Sequence, residues 1–385
     1  MRNFVFHNPT KIIFGNDSTN KVGKETKNYG KKVLLITGQG SIKKIGLYDK
    51  VVDLLKKEEL EIYELSGVKP NPRVDLVREG IKIVRENKID ILLAVGGGSV
   101  IDTAKAIAAG LTYEGDVWDL FTKRIPIKPT IPIGVVLTLA ATGSEMNGNA
   151  VISNMDTQEK LAISSPYLYP KFSILDPQNT VSVPLNHTLY GIVDILSHVF
   201  EQYFDRTEDA ILQDRFAEAI MRTVIETAPK LAQNPEDLES RAIILWCGTN
   251  ALNGIIGVGK EQDWASHAIE HAISALYDIP HGLGLAIVFP HWMKYVIDVI
   301  PHKFANFARN VWGIQGEDDF EVGLKGIDKL IDFYESLGIP TNLSRIGINN
   351  ERLEEMAEKA TKFGPIGNVK KLNKEDVYKI LEMCL

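Results

Sequence analysis

The stretch Ile91–Gly110, "ILLAVGGGSVIDTAKAIAAG", decides the architecture of the first half of the chain. It begins as an apolar strand, turns through Gly96-Gly97-Gly98-Ser99 and continues as a helix rich in small residues. A glycine turn between a strand and a helix is typical of phosphate binding, because the free N–H groups at the helix start face the anion. The spacing is not G-x-G-x-x-G. A purely connecting turn is the alternative, but three consecutive glycines cost more chain entropy than such a turn needs.

Strand-like and helix-like segments alternate around this stretch. The segments "KKVLLITGQG", "EIYEL" and "TIPIGVVLTL" predict strands, and "GLYDKVVDLLKKEEL" and "RVDLVREGIKIVRENK" predict helices between them. This alternation predicts a parallel sheet with helices on its faces. Ahead of it, "FVFH" and "KIIFG" predict a short β-hairpin.

The second half of the chain has a different pattern. After "FSILDPQNTVSVP" the strand signals stop, and long helices with an apolar face continue to the end. Among them "LNHTLYGIVDILSHVFEQYF" and "LESRAIILWCGTNALNG" predict core helices of a bundle. We therefore predict a dinucleotide-binding α/β domain over residues 1–180 and an all-helical, metal-binding domain over residues 181–385.

Composition limits the class of protein. A chain of 385 residues, 44% of them hydrophobic and 24% charged, is typical of a globular protein of two domains. Its net charge of −7 argues against nucleic acid or an anionic membrane as the main partner. The start of the chain has no apolar signal core, and no apolar run is long enough to span a membrane. Two cysteines indicate a reducing compartment and exclude a Cys-built zinc site. We expect a cytoplasmic protein.

A second glycine-rich turn bears on the choice of cofactor. The first strand of the alternating region ends in Thr37-Gly38-Gln39-Gly40-Ser41, with Lys43 and Lys44 just beyond. NAD-binding sites commonly place an acid here for the ribose 2′-hydroxyl, whereas polar or basic residues suit a 2′-phosphate. This turn holds no carboxylate, so a bound dinucleotide is predicted to be NADP(H), with NAD(H) as the alternative. In the later loop, Asp102 either favours the dipole of its helix or acts on the cofactor side.

Three histidines are crowded into Ala265–Gly284, "ASHAIEHAISALYDIPHGLG". His267 and His271 are four residues apart and share one helix face. On an unbroken helix His281 would lie roughly 21 Å from His267, too far to share an ion. We predict that Pro280 ends this helix and that Gly282 and Gly284 fold the chain back toward His267.

Asp194 and His198 repeat the four-residue spacing on an earlier helix. One carboxylate and three imidazoles form a site suited to Fe(II) or Zn(II). The alternative is a set of separate, hydrogen-bonded histidines, but two such pairs and a Pro-His-Gly turn in one apolar domain weaken it. The other four histidines lack such partners: His7, His187, His291 and His302.

With these motifs the chain resembles the iron-containing, or group III, alcohol dehydrogenases, in their branch of butanol dehydrogenases and NADPH-dependent aldehyde reductases. The resemblance extends over essentially the whole chain, including "FVFHNPTKIIFG", "GGGSVIDTAKAIA", "TLAATGSEMNGNAVIS", "DILSHVFEQYF" and "ASHAIEHAISALYDIPHGLGLAIVFP". It implies an active site in the cleft between the two domains, and a homodimer for which the N-terminal hairpin is a pairing edge.

The resemblance also implies roles for individual residues. The metal ligands are Asp194, His198, His267 and His281, and His271 is a nearby catalytic imidazole rather than a ligand. Gly97, Gly98 and Ser99 bind pyrophosphate. The remaining cofactor-binding residues are Gly38, Gly40 and Ser41 at the 2′-phosphate, Asn71, Thr138 and Thr142 along the cleft, and Asn149, Val151 and Lys160 at the ribose and nicotinamide.

The implied reaction is reversible hydride transfer between NADP(H) and a short- to medium-chain primary alcohol or aldehyde. Two alternatives are a metal-dependent hydrolase and a lyase or polyol dehydrogenase of the related dehydroquinate synthase and glycerol dehydrogenase type. The lyase acts on phosphorylated acids and needs basic residues near the metal. The segments 194–204 and 267–278 contain no Lys or Arg, which argues against it.

Overall fold

The computed structural model describes all 385 residues, which form two compact units. The sheet unit comprises His7–Pro184 and Pro235–Thr249, and the helical unit comprises Met1–Phe6, Leu185–Asn234 and Asn250–Leu385. The predicted division at residue 180 differs from these units in residues 1–6, 181–184 and 235–249.

The sheet unit is built on one six-stranded parallel sheet in the order β1-β8-β5-β4-β2-β3. An antiparallel pair, β6 and β7, forms a separate hairpin. The predicted class, a parallel α/β sheet followed by a helical domain, is confirmed. The strands are β1 (Lys11–Phe14), β2 (Lys32–Gly38), β3 (Glu61–Val68), β4 (Ile91–Gly96), β5 (Ile133–Leu137), β6 (Asn149–Asn154), β7 (Glu159–Ser164) and β8 (Phe172–Leu175).

Both faces of the sheet are buried, as parallel sheets require. In β2, Leu34 and Ile36 belong to one hydrophobic cluster, while Val33 and Leu35 belong to another on the opposite face. This alternation follows from the two-residue period of a strand. Helices cover the two faces: α1 (Val22–Lys27), α2 (Ser41–Lys44), α3 (Leu47–Lys57), α4 (Val74–Asn87), α5 (Gly98–Gly110) and α6 (Trp118–Thr122).

The predicted N-terminal hairpin is wrong. "KIIF" forms β1, but its partner is β8, some 160 residues later, and the pairing is parallel. "FVFH" forms no strand, and Phe4, Val5 and Phe6 are exposed. An apolar strand pairs with the neighbour beside which its apolar side chains are buried. For β1 that neighbour is β8, because Ile13 is buried in the same hydrophobic cluster as Phe172 and Ile174.

The β6–β7 hairpin was not predicted from the sequence, and buried polar groups attach it to α5. The Asp102 carboxylate accepts hydrogen bonds from Ser144 Oγ at 2.6 Å and from the Val151 N–H at 2.9 Å. One turn later, Lys105 is fully buried and donates to Ser144 Oγ, to the carbonyl and side-chain oxygens of Asn147 and to the Asn149 carbonyl. Burial lowers the pKa of Lys105 to about 8. These bonds fix the backbone between residues 144 and 151 against α5.

The helical unit contains most of the long helices of the second half. None of the protein's helices combines the length and the apolar character that a membrane span needs. The core of this unit includes a cluster of aromatic rings: Phe200, Phe204, Phe289, Trp292, Phe304 and Phe307. The helices are α7 (Leu185–Tyr203), α8 (Ile211–Gln233), α9 (Leu238–Ala251), α10 (Ala265–Tyr277), α11 (His281–Val296), α12 (Pro301–Trp312), α13 (Asp319–Ser336), α14 (Leu353–Ala360) and α15 (Lys374–Met383), with most of α9 in the sheet unit.

The assignment of α9 to the helical bundle is also wrong. Leu245 belongs to the hydrophobic cluster of the sheet unit, and Trp246 packs edge-on against Phe14 of β1 at 5.9 Å. Thr249 donates to the buried carboxylate of Glu145. The apolar pattern of a helix predicts that the helix is buried but does not identify the core that buries it, so the sequence alone did not place α9 in the sheet unit.

The turn before His281 differs from its prediction. Helix α10 ends at Tyr277 because Asp278 adopts a left-handed conformation, with φ 52°. Pro280 caps the start of α11 rather than ending α10. Gly282 and Gly284 lie inside α11, where they permit close packing instead of a reversal: a Cβ at Gly282 would come within 2.0 Å of the Tyr190 carbonyl oxygen. The close approach of α11 to α7 therefore depends on Gly282.

We expect Lys105→Met to lower the free energy of unfolding by about 3 kcal/mol, because it leaves buried acceptors without their donor. For a unit of this size that corresponds to a fall of roughly 6–12 °C in melting temperature, measured by calorimetry. The control is Lys82→Met on α4, whose side chain is 74% exposed and lies 3.8 Å from Glu86. Its effect should stay below about 1 kcal/mol. Equal melting temperatures for the two variants would show that the Lys105 bonds do not hold the hairpin.

Candidate metal centre and cofactor-binding loops

Helix α7 provides the first two predicted ligands. Asp194 and His198 are one turn apart and face the same way, with His198 Nε2 3.7 Å from Asp194 Oδ1. Both side chains are buried. Burial lowers the pKa of His198 to about 3, although the charge of Asp194 acts in the opposite direction. The low pKa keeps the imidazole neutral. A neutral imidazole is the form that binds a metal.

Helices α10 and α11 bring two more imidazoles to this carboxylate. His281 Nε2 lies 3.6 Å from Asp194 Oδ1. The ligand atoms of Asp194, His267 and His281 all lie within 4.8 Å of one another. The rings of His198 and His267 are stacked, with their centroids 5.0 Å apart. All four predicted ligands therefore meet in one place within the helical unit.

The polar atoms of this cluster fit a bound cation. Asp194 Oδ1 and His267 Nε2 are buried and make no hydrogen bond. Unpaired buried polar atoms are costly, and a carboxylate with three imidazoles is a donor set that suits Fe(II) or Zn(II). A divalent ion bound by these residues would satisfy both atoms.

Two carboxylates beside the cluster were missed by the sequence reasoning. Glu201 Oε1 lies 2.8 Å from His267 Nδ1, and a Glu270 oxygen is hydrogen-bonded to His281 Nδ1. Both glutamates are fully buried. Each stands three residues after a histidine of the cluster, His198 and His267, so a helical spacing search extended to carboxylates would have found them.

His271 lies beside the cluster, half-buried, with its ring centroid 6.4 Å from that of His267 and 5.4 Å from that of His281. The ligand atoms of Glu270, His271 and His281 also lie within 4.8 Å of one another. Two groupings that share His281 are thus available. The role of His271 as a non-ligand stays a prediction.

The predicted cofactor residues gather at the carboxyl ends of neighbouring parallel strands. Gly38 is the last residue of β2, with Gly40 and Ser41 just beyond it; Asn71 follows β3, residues 97–99 follow β4 and Thr138 follows β5. This edge is where open α/β sheets bind ligands. Thr142 lies against the glycine loop, because a Cβ at Gly98 would come within 2.5 Å of its side chain.

The glycine loop leads directly into α5, whose first residues are Gly98 and Ser99. The N–H groups of a first helical turn have no partner within the helix, so they can meet an anion. In the other turn, Gly40 has φ 118°, a conformation that favours glycine, and Ser41 is exposed at the start of α2. The Lys43 ammonium lies over the Tyr48 ring at 4.6 Å rather than in the turn.

The predicted residues of the nicotinamide end belong to the β6–β7 hairpin. Asn149 and Val151 are on β6, and Lys160, which is buried, faces Ser153 across the two strands. Asp102 is hydrogen-bonded to this hairpin and to Ser144, so its carboxylate positions the hairpin. Its catalytic role stays a prediction.

Comparison with known proteins gives a consistent result over the whole chain. Residues 9–177 match the family model "Iron-containing alcohol dehydrogenase", and residues 188–385 match "Fe-containing alcohol dehydrogenase family, C-terminal". The chain is 53% identical to the probable NADH-dependent butanol dehydrogenase 1 of Bacillus subtilis, covering 100% of both chains. It is 40% identical to the NADPH-dependent aldehyde reductase YqhD of Escherichia coli, covering 94% of each. The crystal structure of NADH-dependent butanol dehydrogenase A from Thermotoga maritima superposes with a TM-score of 0.97 at 46% identity, covering 100% of this chain and 99% of the other.

Proposed function

The chain belongs to the iron-containing alcohol dehydrogenases, and on that premise we propose that it interconverts short- to medium-chain primary alcohols and aldehydes of the butanol and butyraldehyde type. It is an NAD(P)-dependent alcohol dehydrogenase of the iron type. The observation that carries the proposed metal-dependent reaction is the cluster of Asp194 with the imidazoles of His198, His267 and His281, in which Asp194 Oδ1 and His267 Nε2 are buried without a hydrogen bond. The butanol and butyraldehyde type of substrate is supported by the names of the relatives.

We propose that Asp194, His198, His267 and His281 hold one divalent ion, Fe(II) or Zn(II). Such an ion would act as a Lewis acid toward the substrate oxygen and favour charge on it during hydride transfer. The residues contribute a fixed geometry and, at His198, an imidazole kept neutral by burial. The burial of Asp194 and His198 excludes water from one side of the cluster.

The nicotinamide cofactor is proposed to bind at the carboxyl edge of the sheet. The N–H groups of Gly98 and Ser99 suit the pyrophosphate, with Gly97 and Thr142 beside them. The hairpin residues Asn149, Val151 and Lys160 and the loop residues Asn71 and Thr138 are proposed to contact the remainder. The Asp102 carboxylate is proposed to act on the cofactor side by holding this hairpin in place.

We propose a preference for NADP(H), supported by the turn from Gly38 to Ser41. It contains no carboxylate to take a ribose hydroxyl, and Ser41 is exposed where a 2′-phosphate would need a donor. Lys44 is the cation proposed for it, since Lys43 lies over the Tyr48 ring. The names of the relatives at 46–53% identity, which are NADH-dependent, argue for the other cofactor. A direct comparison decides between them.

His271 is proposed to relay the proton between the substrate oxygen and solvent or a ribose hydroxyl. It is half-buried beside His281, a predicted ligand that is half-buried too, whereas the other predicted ligands, Asp194, His198 and His267, are buried. A partly exposed imidazole beside a buried cluster can exchange protons with water.

We also propose a homodimer. The first six residues form no strand or helix and expose Phe4, Val5 and Phe6, with Val5 94% exposed. An apolar segment of this kind is typical of an interface.

Sedimentation equilibrium should give twice the chain mass of 42.8 kDa, and Val5→Lys should shift the population toward the single chain. A single-chain mass for the unaltered protein at micromolar concentration would contradict the proposal.

The first test of the activity is the oxidation of NADPH and of NADH with butyraldehyde, followed by the absorbance of the reduced nicotinamide. Metal-stripped protein is compared with protein reloaded with Fe(II) or Zn(II). We expect turnover only with metal, and a higher kcat/KM with NADPH.

Faster use of NADH would keep the reaction and discard the 2′-phosphate argument. No turnover with either cofactor, in protein shown to hold metal, would overturn the proposed reaction and favour a metal-dependent hydrolase.

We expect His271→Ala to keep its bound metal and to lose roughly 10²- to 10⁴-fold in kcat, the usual contribution of a proton-transfer group. Metal content by plasma emission spectrometry is measured together with kcat. The control is His291→Ala, in which the lost imidazole lies within hydrogen-bond distance of the Ile287 carbonyl. Metal loss in His271→Ala as large as in His267→Ala would instead make His271 a ligand.

A further inference from the structure

Two fully buried glutamates outside the predicted ligand set contact the imidazoles of the cluster. Resting on the metal site of the proposed function, we propose that Glu201 and Glu270 are positioning residues. They hold His267 and His281 in the tautomer that presents Nε2 to the ion, and so set the affinity for metal.

Glu201 joins α10 to α7. It stands on α7, three residues after His198, and its Oε1 accepts the His267 backbone N–H at 3.1 Å as well as contacting His267 Nδ1 at 2.8 Å. Its Oε2 accepts the Trp264 N–H at 2.6 Å. Trp264 has φ 68°, a strained conformation for a bulky residue, directly before α10. One carboxylate therefore fixes both the start of α10 and the ring of its first ligand.

Glu270 repeats this arrangement between α10 and α11. It stands on α10, and one oxygen is hydrogen-bonded to His281 Nδ1 while the other accepts the Ser274 hydroxyl. Gly284 allows the approach, because a Cβ there would come within 2.7 Å of Glu270 Cγ. The three helices that carry ligands are thus joined in sequence by two carboxylates.

The physical effect of these contacts is the choice of tautomer. An imidazole that donates Nδ1–H to a carboxylate leaves the Nε2 lone pair for the ion, and the carboxylate raises the basicity of the ring. His267 Nε2 is buried and makes no hydrogen bond, and His281 Nε2 points at Asp194 Oδ1 from 3.6 Å. Without the carboxylates each ring could rotate or take the other tautomer.

The two glutamates differ in what surrounds them, and this difference gives a sharp test. Glu201 faces three N–H donors, so the amide group of a glutamine would place an NH₂ against an N–H in either orientation. Glu270 contacts His281 Nδ1 and accepts from the Ser274 hydroxyl, and its ligand atom also lies within 4.8 Å of that of His271. The Ser274 hydroxyl lies 3.3 Å from the Ile279 carbonyl, so it can donate there and accept from a glutamine NH₂. Glutamine should therefore replace Glu270 and fail to replace Glu201.

The experiment measures Zn(II) affinity by chelator competition and the visible absorption of the Co(II)-substituted protein. The variants are Glu270→Ala, Glu270→Gln and Glu201→Gln. The control is Glu218→Gln, a buried carboxylate of the same unit that accepts from Tyr203 and Asn310. We expect Glu270→Ala to lose roughly 10- to 100-fold in Zn(II) affinity, Glu270→Gln to recover most of it, and Glu201→Gln to lose as much as Glu270→Ala. The control should keep wild-type affinity and spectrum.

Wild-type affinity and an unchanged Co(II) spectrum in Glu270→Ala would overturn the positioning role while leaving the proposed function intact. Equal losses in Glu270→Gln and Glu270→Ala would overturn it too, because the hydrogen bond would then not be the cause. Failure of the unaltered protein to bind Zn(II), Co(II) or Fe(II) would instead remove the metal site itself. If Glu270→Ala does not fold, the comparison of Glu270→Gln with Glu201→Gln decides the question.

Discussion

The packing of α7, α10 and α11 depends on placing three buried carboxylates next to imidazoles. Asp194, Glu201 and Glu270 are carboxylates in a core rich in apolar side chains, and each faces an imidazole. A buried charge is tolerated only when partners surround it. The helices that carry these residues must therefore approach closely, which is why α11 has glycine at the contact with the Tyr190 backbone. Packing and chemistry impose the same requirement on α7, α10 and α11.

The sheet unit meets a different constraint, which is the exposure of backbone donors at one edge. Parallel strands that end together leave their loops side by side, and α5 begins at that edge with Gly98 and Ser99, whose N–H groups have no partner within the helix. A loop of this kind needs support. Lys105 and Asp102 provide it on the same helix, by bonds to residues 144–151 that fix the neighbouring hairpin.

Several elements show how far sequence reasoning reached. The strand at Val33–Thr37 and the helix after Gly98 were predicted, because apolar periodicity and glycine turns are local signals. The partner of β1 was not, since an apolar strand pairs with whichever neighbour the whole fold supplies. The location of α9 was not predicted either, because its apolar residues do not form a distinct face. It joins the sheet unit through Leu245, an ordinary apolar residue, and through the hydrogen bond of Thr249 to Glu145, which lies 104 residues earlier in the sequence.

The sequence by itself determined the two kinds of architecture, the glycine loop and the pairs Asp194/His198 and His267/His271, because each depends on residue type at short, regular spacing. Only the tertiary structure decided which histidine nitrogen is available and what holds it. Glu201 contacts His267, 66 residues later in the sequence. Glu270 contacts His281 across the turn between α10 and α11, and Pro280 alone did not predict the geometry of that turn. Orientation of an imidazole is set by its neighbours in space, and those neighbours come from helices whose relative placement depends on the packing of the entire unit.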